Sequence, residues 1–163
     1  IIKKLPILFV CENNLYSVYS SLKVRQPIKR KIYKMVSGFG IKSSSSDGYN
    51  LDHTFKVLNN SIKSLRKGRG PIFLEFNTYR FLEHCGPNND DYLDYRSKKE
   101  LSYWKKKDPI PRLRKKIINN KFLVKKNLIK IEKNIEKKIL LAFNFAKKSK
   151  FPNPKEIFDN LYA

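Results

Sequence analysis

The chain has 163 residues, 40% hydrophobic and 13% aromatic, which is enough apolar content for a packed domain and too much for a disordered tail. Two cysteines, Cys11 and Cys85, do not make a disulfide scaffold, and no apolar run approaches the ~20 residues of a membrane helix. The net charge of +22 invites a nucleic-acid reading, but the make-up of that charge argues against it.

The basic residues are 28 Lys and 8 Arg, and Arg is the residue suited to bidentate phosphate and base contacts. Lys, Ile and Asn are also the residues an AT-rich genome over-uses. Residues 1–97 hold 16 basic and 8 acidic side chains, and residues 98–163 hold 20 and 6. The charge is therefore concentrated after residue 97, on segments with helical periodicity. No zinc finger, aromatic RNA-binding signature or basic zipper accompanies it. A solvated lysine-rich surface is the preferred reading, with a non-catalytic basic nucleic-acid-binding module as the weaker alternative.

Leu5–Cys11 is a continuous apolar run, expected to be a parallel strand covered on both faces. Glu12, Asn13 and Asn14 end it, at the strand end where α/β sheets place ligands. Residues 15–27 read as loop. Ile28–Ser37 has helical spacing stopped by Gly38 and Gly40, and Phe39–Ser43 is a candidate short strand. Asp47–Gly48 is a turn. Asn50 caps a helix with Leu51, Phe55, Leu58, Ile62 and Leu65 on one face, and Gly68 and Gly70 end it. Ile72–Phe76 is the second clear strand. Strand, helix, strand is the crossover pattern of a parallel α/β sheet.

Residues 79–97 form a long polar loop, of a length usually tied to function. From Lys98 the chain reads as helical. Leu101 and Trp104 share a face of a short helix ended at Asp108–Pro109, and Pro111–Asn119 follows. Leu128, Ile131, Ile135, Ile139, Ala142 and Ala146 stripe a long helix, and Lys155–Tyr162 is a last short one. The expected architecture is α/β, with residues 1–97 as the sheet-bearing part and 98–163 as a helical extension. Opening on Ile1 and entering a strand almost at once, the chain reads as the later part of a longer protein.

Three segments carry a resemblance. They are Leu5 through Tyr16 (LPILFVCENNLY); Gly68 through Glu75 (GRGPIFLE) with Thr78-Tyr79-Arg80; and Tyr95-Arg96-Ser97 with Glu100, Trp104 and Asp108-Pro109-Ile110. In this order and spacing the chain resembles the C-terminal half of the α subunit of the thiamine-diphosphate-dependent 2-oxo-acid dehydrogenases. Phe151-Pro152-Asn153-Pro154, Ile157-Phe158 and Tyr162-Ala163 are similar to that family's usual ending.

The resemblance implies part of a parallel-sheet thiamine-diphosphate-binding fold. It implies oxidative decarboxylation of a 2-oxo acid, pyruvate or similar, with acyl transfer to a lipoyl-bearing transacylase. The cofactors would be thiamine diphosphate and Mg2+, and the partner a β subunit in a heterotetramer. Asn14 matches the metal-ligating Asn, and Tyr16 the residue that offers its backbone carbonyl to the same metal. Asn13 is expected to be a structural neighbour. The Gly-Asp-Gly segment that opens the family motif is not in this chain, so the isolated chain is expected to be inactive. His84 falls on the histidine implicated in catalysis and cofactor binding, with Glu83 and Cys85 where the family has Gly and Ser. Asp90, Asp91 and Asp94 are candidates to pair with Arg80 or Arg96 once cofactor binds. Asp47-Gly48-Tyr49-Asn50 is similar to a family turn. The implied compartment is the cytoplasm, or the mitochondrial matrix or plastid in a eukaryote. A transketolase-like or acyloin-forming enzyme of the same superfamily is the alternative.

Overall fold

The computed structural model describes residues 1–159. It is an α/β structure, as expected. Strand β1 is Leu8–Asn13, β2 Tyr16–Ser17, β3 Ser20–Ser21, β4 Lys42–Asp47 and β5 Ile72–Asn77; helix α1 is Leu22–Arg25, α2 Ile32–Ser37, α3 Leu51–Arg66, α4 Lys98–Lys105, α5 Pro109–Asn119 and α6 Lys125–Lys148. Short 3-10 turns lie at Asp91–Leu93 and Pro154–Phe158. The expected last helix ran on to Tyr162, and that end, with the Tyr162-Ala163 match, lies outside the described residues. The chain divides into two compact units, Ile1–Arg114 and a second that begins at Lys115.

The first unit is organised around β5. The sheet order is β1-β5-β4, and both pairings are parallel. Along β5, Ile72, Leu74 and Phe76 point to one face, as the two-residue strand period requires. They pack with Leu65 of α3, and Leu8, Val57 and Leu58 close the cluster. Glu75 points to the other face and accepts a hydrogen bond from the backbone N of Tyr33 on α2. Helices thus lie on both faces of the sheet.

α3 starts where the sequence places it. The Asn50 side chain accepts from His53 N at 3.2 Å, and Gly68, at φ +68°, closes the far end. Its inward face is the expected one at Leu51, Leu58, Ile62 and Leu65, which are buried or half-buried, and departs from it at Phe55. Phe55 is 70% exposed while Ser61 and Leu65 are buried, because the contact with β5 runs along Val57, Leu58 and Leu65.

Other boundaries also move. The run from Leu5 is not covered on both faces: Phe9 and Val10, which project to opposite faces of β1, are 44% and 49% exposed, and β1 is an edge strand with β5 as its one neighbour in this sheet. The expected loop 15–27 contains the β2–β3 hairpin and α1. The helix expected from Ile28 begins at Ile32, after a turn closed from Arg30 N to Pro27 O. The strand expected at Phe39–Ser43 lies at Lys42–Asp47 and takes in all four serines. From Lys98 onward, every described element is helical. In the second unit, α6 carries the expected stripe, with Ile131, Ile135 and Ile139 exposed.

Candidate functional site

Both strand pairings put Asn13, Asn77 and Asp47 side by side at the carboxyl end of the sheet. The chain leaves β1 through two overlapping side-chain turns. Asn13 Oδ1 accepts from Leu15 N at 3.2 Å, and Asn14 Oδ1 accepts from Tyr16 N at 3.0 Å. Leu15 sits at φ +71° between them, a conformation a non-glycine residue adopts only where its surroundings hold it. Leu22 N donates to Leu15 O at 2.7 Å and ties the hairpin to the turn. Asn13 Nδ2 donates to Glu75 Oε1 at 2.7 Å, so the half-buried side chain is engaged at both ends, by Glu75 and by Leu15 N.

Tyr16 reaches from this turn to α4. Its hydroxyl donates to the Glu100 carboxylate, 2.9 and 3.0 Å from the two oxygens. Burial first, then the Glu100 hydrogen bond and charge, push the Tyr16 hydroxyl up to about 12. Its ring meets Tyr79 and Tyr95 edge-on, with centroids at 6.3 and 5.6 Å. Tyr79 in turn stacks on Trp104 at 5.3 Å, and Tyr49 packs against Trp104 at 4.9 Å. The buried Tyr79 hydroxyl makes no hydrogen bond of normal length; burial, then the Glu100 charge, push its pKa above the usual tyrosine value.

The loop after β5 is held by charge. The Arg96 guanidinium pairs with the Asp90 carboxylate in the interior and donates to the Arg80 carbonyl. Tyr95 OH donates to Asp90 Oδ2 at 2.6 Å, and Arg80 Nη2 donates to Tyr95 OH at 2.9 Å and to Val18 O at 2.8 Å. Asp91 lies 3.4 Å from Arg96 and 3.8 Å from Lys105. Asp90 and Asp91 thus pair with Arg96, while Arg80 bonds Tyr95 and Val18. His84 and Cys85 are exposed on the loop, and the Glu83 carboxylate accepts from Asn88 N and Nδ2.

A cavity of about 900 Å³ opens beside the turn, with Asn13, Tyr16, Glu75, Tyr95, Glu100 and Trp104 in its wall. Lys23, Arg30 and Lys31 line another part of it. Tyr16 is the one sequence-expected site residue in this wall; Asn14 and His84 do not line it. The side-chain turn brings Asn14 and Tyr16 together. Glu75 and Glu100 have no assigned role in the sequence reading. The signal for Glu75 was available, as a lone carboxylate inside an apolar strand. Glu100 is marked locally as the acidic residue three after the Ser97 cap of α4, but nothing local points to Tyr16, which it meets across 84 positions of chain.

The donor chemistry at the turn suits a hard cation. Mg2+ takes roughly six oxygens, and an amide oxygen at Asn14 with a backbone carbonyl at Tyr16 are of that type. Among the described residues, no group of three or more His, Cys, Asp and Glu side chains is placed to hold an ion alone. These two oxygens alone would fill part of such a coordination shell. Likewise, no helix among the described residues is long and apolar enough to cross a membrane.

Comparison with known proteins adds the family. A family model described as "Dehydrogenase E1 component" matches residues 2–155. The chain is 31% identical over 159 residues to the pyruvate dehydrogenase E1 component subunit alpha of Rickettsia bellii (strain RML369-C), covering 98% of this chain and 48% of that protein. It is 33% identical over 160 residues to the chloroplastic pyruvate dehydrogenase E1 component subunit alpha-3 of Oryza sativa subsp. japonica, covering 98% and 37%. With the corresponding subunit of Porphyra purpurea it shares 31% over 160 residues, covering 98% and 45%. The chain spans about half the length, or less, of these curated relatives. The ordered motifs, the parallel sheet and the match over nearly the whole chain place it in the dehydrogenase E1 component family.

Proposed function

We propose that this chain is the later part of a thiamine-diphosphate-dependent 2-oxo-acid dehydrogenase α subunit. The whole protein would oxidatively decarboxylate a pyruvate-like 2-oxo acid and pass the acyl group to a lipoyl carrier. Bound thiamine diphosphate would supply the electron sink that decarboxylation needs. This chain's part is anchorage. Asn14 Oδ1 and the Tyr16 carbonyl are the proposed oxygen ligands of Mg2+, which holds the cofactor's diphosphate. His84 offers an imidazole, suited to proton exchange near neutral pH, on the loop that Asp90 and Arg96 brace. The remaining metal ligands, the β subunit of a heterotetramer and the lipoyl-bearing transacylase lie outside this chain. The relatives are bacterial and chloroplastic, which supports a cytoplasmic site in a bacterium and an organelle, plastid or mitochondrial matrix, in a eukaryote.

The observation that carries this reading is the side-chain turn of Asn14 and Tyr16 at the carboxyl end of β1, in a chain whose relatives are pyruvate dehydrogenase α subunits. The test is Asn14→Ala in the full-length subunit assembled with its partner, followed by titration with thiamine diphosphate in Mg2+. Affinity should fall by about tenfold or more. Unchanged affinity overturns the metal assignment.

A further inference from the structure

Glu100 belongs to a segment that carries the family resemblance, but neither that resemblance nor the cofactor chemistry gives it a role. It sits in the first turn of α4, and it is joined to the Asn14–Tyr16 turn through one contact: both its oxygens accept from Tyr16 OH, at 2.9 and 3.0 Å. The turn has little freedom of its own. Asn14 Oδ1 holds Tyr16 N, and Leu15 is kept at φ +71°. A left-handed leucine is strained and persists only when its neighbours fix it. Leu22 N fixes one side by donating to Leu15 O. The Tyr16 side chain fixes the other, wedged edge-on against Tyr79 and Tyr95 and anchored at its tip by Glu100. A shift of the Tyr16 hydroxyl would be transmitted to its own backbone, where one of the proposed metal donors lies.

We infer that Glu100 is a positioning residue for the divalent cation: by gripping the Tyr16 hydroxyl it sets where the Tyr16 carbonyl and Asn14 Oδ1 present their oxygens. The inference rests on the metal reading above. Glu100 is not a ligand in this account. It acts at a distance of one side chain, in the way that partners behind the ligands of other metal sites orient them. The same carboxylate ties α4 to the end of β1, so the helix that follows the 79–97 loop reports directly to the metal turn.

The experiment uses the full-length subunit assembled with its partner, saturated with thiamine diphosphate, with Mn2+ as the probe ion. Free Mn2+ is counted by electron paramagnetic resonance, so the readout is binding and not turnover. Glu100→Ala and Tyr16→Phe should each weaken Mn2+ binding by about tenfold, since Tyr16→Phe keeps the backbone carbonyl but lets go of Glu100. Glu100→Gln, which still accepts from the hydroxyl, should stay within about threefold of the parent. The double variant Tyr16→Phe/Glu100→Ala should be no weaker than the worse single one, because both remove the same contact. Asn14→Ala serves as the control for the reading beneath. If it leaves Mn2+ affinity unchanged, the metal assignment fails. If it weakens binding while Tyr16→Phe or Glu100→Ala does not, the positioning role alone is overturned, as it is if the two losses simply add. Should Glu100→Ala not assemble, Tyr16→Phe against Glu100→Gln decides the same question.

Discussion

Arg96 and Asp90 form an ion pair inside the first unit, with side chains 1% and 2% exposed. Six positions apart, they close the end of the 79–97 loop on itself. Each charge is compensated mainly by the other, and the Arg96 guanidinium also faces the Tyr95 ring, 4.7 Å from its centroid. Removing Asp90 takes away the nearest counter-charge of Arg96 and leaves Asp91, 3.4 Å away, so the cost should reach up to about 3–5 kcal/mol. Asp90→Ala should therefore destabilise the full-length subunit by that amount in urea unfolding, and should expose the loop to limited proteolysis. Replacing both, as Asp90→Leu with Arg96→Met, should recover part of the loss. The recovery stays incomplete because Tyr95 OH, which donates to Asp90 at 2.6 Å, loses its acceptor.

The turn Asp47–Gly48 gives a second prediction, from space and not charge. Gly48 N donates to Asn77 O at 3.1 Å, and a Cβ at Gly48 would stand 2.8 Å from Thr78 Cγ2 and 2.9 Å from Asn77 O. One of these neighbours is backbone of the central strand and has little room to move. Gly48→Ala should cost about 1–3 kcal/mol, the range of overpacked sites. At Gly68 a Cβ would meet nothing within 4 Å, but φ is +68°. Gly68→Ala should cost about 1 kcal/mol from backbone strain alone. Comparing the two denaturation midpoints separates contact from conformation.

What the sequence made legible follows from the range of the interactions involved. β5, the Asn50 cap and the Gly68 stop were readable because each is decided by neighbours a few positions away. The serine strand, expected at Phe39–Ser43, lies a few residues later because Lys42–Asp47 has no apolar alternation to mark it; its bounds are set by pairing with β5, from Lys42 opposite Ile72 to Asp47 opposite Asn77. Phe55 was misplaced because helical periodicity names a stripe, while the tilt of α3 on β5 chooses which edge of it is buried. At the site, the asparagine turn is local and its residues were named. Glu75 with Asn13, and Glu100 with Tyr16, are 62 and 84 positions apart, and no spacing rule joins them.

Alkaline pH should loosen the fold through its tyrosines. Burial holds Tyr16 up to about 12, and raises Tyr49, Tyr79 and Tyr95 as well. An unfolded tyrosine ionises near pH 10, so between the two values the folded protein keeps protons that the unfolded chain has released. Stability is then fully present below about pH 10 and falls as pH rises toward 12. Unfolding followed by circular dichroism, with phenolate absorbance read as the difference between the parent and Tyr16→Phe, should show both signals moving together in this window. Tyr16→Phe should flatten the fall. In the difference between the parent and Tyr16→Phe, which leaves out the exposed tyrosines Tyr19, Tyr92 and Tyr103, a phenolate signal that rises near pH 10 with the fold intact would contradict the burial of the Tyr16 hydroxyl.

Glu75 carries the last prediction. Its residue exposure is 5%, and its two oxygens divide between two elements: Oε1 accepts from Asn13 Nδ2 at 2.7 Å and Oε2 from Tyr33 N at 3.0 Å. It joins the end of β1 to the start of α2 across the face of the sheet opposite the apolar cluster. Glu75→Gln keeps the size but offers one acceptor, so its amide NH2 must face one of the two donors. A buried donor left without an acceptor costs about 1–3 kcal/mol, and the glutamine should destabilise by that much despite its shape. The side that loses can be read directly. If the amide oxygen stays with Asn13, the Tyr33 amide should exchange with solvent faster while the Leu15 amide, held by Asn13 Oδ1 at 3.2 Å, keeps its protection. If the oxygen turns to Tyr33, the order reverses, and the asparagine turn at the end of β1 loosens with it.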